Sequence, residues 1–196
     1  MFRDKRETDA ATPLDDDEAA ALIPTHIGTR AALNAWEQAN ITAGTTWLRG
    51  RRRRGTVLNQ DVLKEVHRRM FAATWTWAGM YRTTGKNIGV PAGDIPRCVH
   101  ELLEDVKFWI AHATYDATEI GIRFHHRLVQ IHPFPNGNGR QARLMTDELV
   151  RELGAEPFTW GSGSIDDEGA VRARYIEALR AADRGNLVPL AAFVRS

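Results

Sequence analysis

The stretch "IHPFPNGNGRQAR", residues 131–143, constrains this chain more than any other. Glycine costs about 1 kcal/mol and proline about 3 kcal/mol inside a helix, so this run is poor material for a helix interior or a strand. The segments on either side, "FHHRLVQI" and "LMTDELVREL", both carry helical periodicity. A chain that interrupts a helix pair this way must fold as helices around a special loop.

The chemistry of that loop follows from its residues. Pro133 disfavours the α conformation at His132, so the first helix ends there with the imidazole at its mouth. Gly137 and Gly139 let the backbone turn tightly and let a ligand approach the main chain. A second helix starts between Asn138 and Arg140, and its first N–H groups form an anion site. Arg140 and Arg143, three residues apart, share one face of that helix and can reach one anion. The result is a phosphate cradle with His132 placed to take a proton from a hydroxyl. Phosphoryl-type transfer then needs positioning, charge neutralisation and usually a divalent metal.

The rest of the chain reads as helix with one exception. Helical patterns run from Thr29 to Trp47, through "TVLNQDVLKEVHRRMFAATW" with Val62, Leu63, Val66 and Met70 on one face, and through five later segments from Arg97 onward. "AGMYRTTGKNIGVPAGDIP" breaks the pattern with glycines, prolines and β-branched residues, and predicts a short hairpin. The expected fold class is therefore all-α with one hairpin insertion. Trp36, Trp47, Trp75, Trp77 and Trp109 are expected in the core, on helical faces.

A length of 196 residues suits one domain, and 43% hydrophobic and 26% charged residues are ordinary for a globular one. A net charge of +1 gives no field of the kind a dedicated nucleic-acid binder carries. The arginine run "RGRRRRG" could grip an acidic partner, but reads more simply as a solvated loop. Cys98 is the single cysteine, which excludes an internal disulfide and suits a reducing compartment. Without an apolar run able to span a bilayer or the apolar core of a signal peptide, the chain is expected in the cytoplasm, away from membranes. His125, His126 and His132 do not make a convincing metal site, because adjacent helical residues point about 100° apart.

"HPFPNGNGRQAR" resembles the motif of the Fic (Fic/Doc) family, His-x-Phe-x-(Asp/Glu)-Gly-Asn-Gly-Arg-x-x-Arg, at every position but Asn136, where most members carry an acid. "ALNAWEQANI", "MFAATWTWAGMYR", "NIGV" and "YIEALRAADRGNLVPLAAFV" are similar to the subgroup called mobile mystery protein B. The resemblance implies a helical Fic fold over residues 26–196 behind an N-terminal extension at 1–25, with a β-hairpin flap over the active site. It implies a protein adenylyltransferase that moves AMP from ATP to a Ser, Thr or Tyr hydroxyl of a target protein, with Mg²⁺ (or Mn²⁺) as cofactor. By position, His132 would be the base, Phe134 the core anchor and Asn136 the metal ligand. Gly137, Asn138, Gly139, Arg140 and Arg143 would hold the nucleotide phosphates. Lys86, Asn87, Ile88 and Gly89 would form the target-docking flap, which aligns a substrate segment by strand addition. The subgroup also suggests the toxin-like half of a toxin–antitoxin-type pair, held by an antitoxin-like inhibitor protein.

Asn136 leaves two alternatives open: a Fic enzyme of altered activity (another nucleotide or phosphate group, or removal of AMP), and a catalytically weak Fic protein that binds or regulates. Many Fic proteins are silenced by a helix bearing (Ser/Thr)-x-x-x-Glu-(Gly/Asn), whose Glu pairs the second motif arginine. "SIDDEG", Ser164 to Gly169, fits that string but stands inside the C-terminal part of the chain. Glu37 in "NAWEQAN" has the better location and lacks the flanking residues. The sequence makes neither a convincing brake.

Overall fold

Val62, Leu63, Val66 and Met70 recur at helical spacing, and all four are buried in the helix they predict. In the computed structural model, which describes residues 20–24, 30–50, 57–162 and 169–196, that helix is α2, Gln60–Phe71. Before it lies α1, Arg30–Arg49. After it come α3 (Ile95–Ala111), α4 (Ala117–Ile131), α5 (Asn138–Glu152), α6 (Ala170–Asp183) and α7 (Val188–Phe193). Local chemistry sets the starts. Asn59 caps α2 by accepting from the Asp61 and Val62 N–H groups, and Asp116 caps α4 by accepting from Glu119 N–H at 2.8 Å.

The helices pack mainly as neighbours in sequence: α1 on α2, α3 on α4, α4 on α5 and α6 on α7. α1 comes very close to α2 at Gly44, where a Cβ would stand 2.7 Å from Met70 Cγ and 3.3 Å from its backbone nitrogen. The main core joins Leu33 and Leu48 of α1, the buried face of α2, and Leu102, Phe124, Leu128 and Met145. A second core gathers Phe158, Trp160, Tyr175, Leu179 and Phe193 at the C-terminal end. No helix among the described residues is long and apolar enough to cross a membrane.

Two expectations change. Residues 79–91 form turns and bends, and the described residues contain no strand, only an isolated antiparallel bridge between Leu22 and Trp75. The limbs bond to the end of α4 instead of to each other: the Arg82 and Val90 N–H groups donate to the Pro133 and Ile131 carbonyls, and the Arg82 side chain bonds Thr84 C=O and Val90 C=O. The tryptophans also divide. Trp75 and Trp77 are buried and stack on each other, but in the turns after α2 rather than on a helix, while Trp36 is 40% exposed. The arginine run at 51–54, most of the N-terminal extension and Ser164–Glu168 lie outside the described residues.

Candidate active site

α4 stops at Ile131, where proline chemistry predicts it, and His132 caps it in the left-handed region at φ 53°. Its N–H still bonds to Leu128 C=O at 3.2 Å. The side chain is only 6% exposed. Burial, then the nearby Arg82 guanidinium, push the imidazole down to about 4, with the Val129 main chain pulling the other way. At neutral pH His132 is therefore uncharged, the form that accepts a proton.

The loop that follows is braced from several sides. Phe134 is fully buried and stacks on His67, with ring centroids 3.7 Å apart. Asn138 ties the loop into a ring. Its Oδ1 accepts from Phe134 N–H at 2.9 Å, and its Nδ2 donates to Phe134 C=O at 2.8 Å. His67 receives the Gly79 N–H on Nδ1, so its Nε2–H must donate to Asn136 C=O, 3.0 Å away. Burial drives His67 down to about 3, which keeps the ring neutral in that tautomer. Gly137 has φ 76°, and a Cβ there would sit 2.5 Å from the Phe71 ring. Only glycine meets both demands.

α5 begins at Asn138, so the Gly137–Gly139 backbone forms its N-terminus, as the sequence predicts. At Gly139 a Cβ would find only ordinary contacts, 3.7 Å from Arg143 Nη1 and 3.9 Å from the Tyr175 hydroxyl oxygen. Arg143 lies over the Tyr175 ring, and Arg140 over Phe71. Asn136 Oδ1 accepts from Gly137 N–H at 2.6 Å. The described residues hold no group of three or more His, Cys, Asp and Glu side chains that could bind a metal. A hard divalent ion fits such a donor set only with one amide oxygen from Asn136 and the remaining ligands from phosphate and water.

Glu37 of α1 enters the site from 103 residues away. Its Oε2 accepts from Arg140 Nη1 at 2.6 Å, and its Oε1 accepts from Trp75 Nε1–H at 2.7 Å. It is 2% exposed. It lacks the residues that flank the glutamate of the silencing string, and its partner is the first motif arginine rather than the second. In the segment of the expected flap Lys86 is half-buried, and Asn87 and Ile88 are exposed. Gly89, at φ 101°, lies where a Cβ would be 2.8 Å from His132 Cβ. Of the other histidines of α4, His125 bonds the Tyr175 hydroxyl beside Gly139, and His126 bonds the Asp183 carboxylate.

An all-helical domain that sets a left-handed histidine before an arginine-bearing helix N-terminus has the architecture of the Fic fold. Residues 57–150 match the Fic/DOC family, and the chain carries a Fic/DOC domain there. It is 33% identical over 138 residues to the protein adenylyltransferase fic-1 of Caenorhabditis elegans, an alignment covering 68% of this chain and 26% of that protein. The chain thus spans about a quarter of the length of the curated relatives it matches. The solved structure of C. elegans Fic-1 (residues 134–508) superposes with a TM-score of 0.63 at 27% identity, covering 90% of this chain and 51% of that one. The BepC protein of Bartonella tribocorum, solved with bound AMPPNP, shares the fold at TM-score 0.70 and 16% identity, covering 92% of this chain and 96% of that one.

Proposed function

We propose that this chain is a protein adenylyltransferase that moves AMP from ATP onto a Ser, Thr or Tyr hydroxyl of a target protein. The observation that carries the reading is a neutral, buried His132 at the end of α4, six residues before an α5 N-terminus that bears Arg140 and Arg143. His132 takes the proton of the incoming hydroxyl. The hydroxyl oxygen bonds to the α-phosphorus of ATP, the bond from that phosphorus to its bridging oxygen breaks, and pyrophosphate leaves. The backbone at Gly137–Gly139 binds phosphate oxygens, the Gly137 N–H leaving Asn136 Oδ1 to do so, and Arg140 and Arg143 neutralise the outer phosphates. Asn136 is the protein ligand for Mg²⁺, or Mn²⁺ in its place; the ion, when bound, supplies neutralisation of the phosphate charge.

Lys86, Asn87, Ile88 and Gly89 serve as the docking edge for the target segment, which they align by strand addition. The Fic unit extends over residues 26–196, and the protein acts in the cytoplasm as the toxin-like half of a pair with an antitoxin-like inhibitor. Glu37 belongs to this reading as well. Its carboxylate holds the guanidinium that the outer phosphates require, so nucleotide and Glu37 compete for Arg140.

Incubation with labelled ATP and Mg²⁺ tests the reading. The protein should label itself or a lysate target, and His132→Ala should abolish labelling while calorimetry still records ATP binding. Full labelling by His132→Ala would overturn it.

A further inference from the structure

Among the groups near His132, one is used by none of the steps above. Arg82 is 3% exposed, and its guanidinium is spread over main-chain carbonyls. Nε donates to His132 C=O at 2.7 Å and Nη1 to Thr84 C=O at 2.8 Å. Nη2 donates to Val90 C=O, with a longer contact to Ile131 C=O at 3.5 Å. Its backbone N–H adds a bond to Pro133 C=O at 2.9 Å. One residue thus collects the carbonyls of 131, 132 and 133, where a helix end leaves acceptors unpaired and the helix dipole is negative. The same residue gathers both limbs of the 83–90 segment. Val90 N–H closes the link by donating to Ile131 C=O at 3.3 Å. Gly89 lies in the angle between these groups, where a Cβ would stand 2.6 Å from Arg82 Nη2 and 2.8 Å from His132 Cβ.

We infer that Arg82 is a positioning residue for the transfer, a single fork that fixes the left-handed backbone of His132 and, through Thr84 and Val90 on either side of it, the docking edge at Lys86–Gly89. This rests on the adenylyltransferase reading. A non-glycine residue in the left-handed region is held there only by its surroundings, and here those surroundings include the fork and Gly89 beside Pro133 and the bond to Leu128. Base and docking edge therefore share one reference point, so a target laid on the edge meets His132 at a set distance. The charge of Arg82 also helps keep the imidazole neutral. Lysine cannot replace it, since an ammonium is a point charge without the planar fork.

The test compares wild type with Arg82→Lys and Arg82→Ala. Self-labelling rate at saturating ATP, ATP affinity by calorimetry, exchange of the Val90 amide and the His132 ring resonances are all recorded. For Arg82→Lys we expect a labelling rate lower by about 10- to 100-fold, the scale of a small misplacement of reacting groups, with ATP affinity unchanged. Val90 exchange should accelerate and the His132 resonances should shift. Added guanidinium should partly restore Arg82→Ala. A wild-type rate with unchanged Val90 exchange in Arg82→Lys overturns the inference, as does parallel loss of rate and ATP affinity. If wild type labels nothing, the adenylyltransferase reading fails, and the exchange and ring resonances still decide whether Arg82 holds His132. If neither Arg82 variant folds, Gly89→Ala takes their place: lost labelling at retained ATP affinity supports the fork, and wild-type labelling overturns it.

Discussion

Replacing Glu37 with glutamine tests the competition between α1 and the nucleotide. The substitution removes the charge facing Arg140 and keeps an oxygen to accept from Trp75 Nε1–H, so packing is disturbed little. The pair is well shielded, with side-chain exposures of 16% for Arg140 and 3% for Glu37. A hydrogen bond to a charged group contributes about 1.5–3 kcal/mol. If the outer phosphates must displace Glu37, relieving that contact raises ATP affinity by about 10- to 150-fold, since about 1.4 kcal/mol is tenfold. The upper end is expected, because the glutamine oxygen serves Trp75 and its NH2 faces the guanidinium donor against donor, which leaves Arg140 no acceptor there. Folding should lose about 1–3 kcal/mol from the same contact, and each kcal/mol lowers the melting temperature of a chain this size by about 2–4 °C. Calorimetric titration with ATP and Mg²⁺ gives the first number, and a thermal melt without nucleotide gives the second. A lowered melting temperature with unchanged or weaker ATP affinity would refute the competition and leave Glu37 as a strut between α1 and the loop.

Three further outcomes follow from the site. His67 and His125, held down to about 3, and His132, to about 4, stay neutral in the folded protein while their unfolded counterparts take up protons near 6.5. Their contribution to stability is therefore present above pH 6.5 and falls as pH drops toward 4, by up to about 1.4 kcal/mol per histidine per pH unit, which urea melts across that range would measure. Gly137→Ala should destabilise the protein by about 1–3 kcal/mol, the usual range for a strained backbone or an overpacked core; an unchanged urea midpoint would rule out the Phe71 clash. Asn136→Asp should lower the Mg²⁺ concentration that half-saturates transfer, since a carboxylate adds charge to an amide position; an unchanged value would mean that Asn136 only caps the Gly137 turn.

The ends of α4 and α5 were legible because local residues decide them. Pro133 stops one helix, and Gly137 supplies the φ that starts the next. The buried face of α2 was legible for the same reason, its period being visible in four residues. What escaped was every contact made between distant elements. Nothing in "NAWEQAN" signals that Glu37 meets Arg140, 103 residues on, since the pairing depends on how α1 crosses α2. The composition of residues 79–91 suits a hairpin well, yet the Arg82 and Val90 N–H groups go to carbonyls at the end of α4, which only the folded chain brings near. His67 looks like any helical histidine until Gly79 and Asn136 are brought to its two nitrogens.

The close crossing at Gly44 gives α1 the mechanics of a lever. Seven residues at about 1.5 Å each separate it from Glu37, an arm of roughly 10 Å. Met70 lies at the fulcrum, with no room for a side chain on the glycine. A bulkier residue at position 44 would tilt the arm and draw the carboxylate out of the cradle without touching it. If phosphates bind at Arg140 as proposed, their access would depend on a helix–helix contact about two turns along α1 from Glu37.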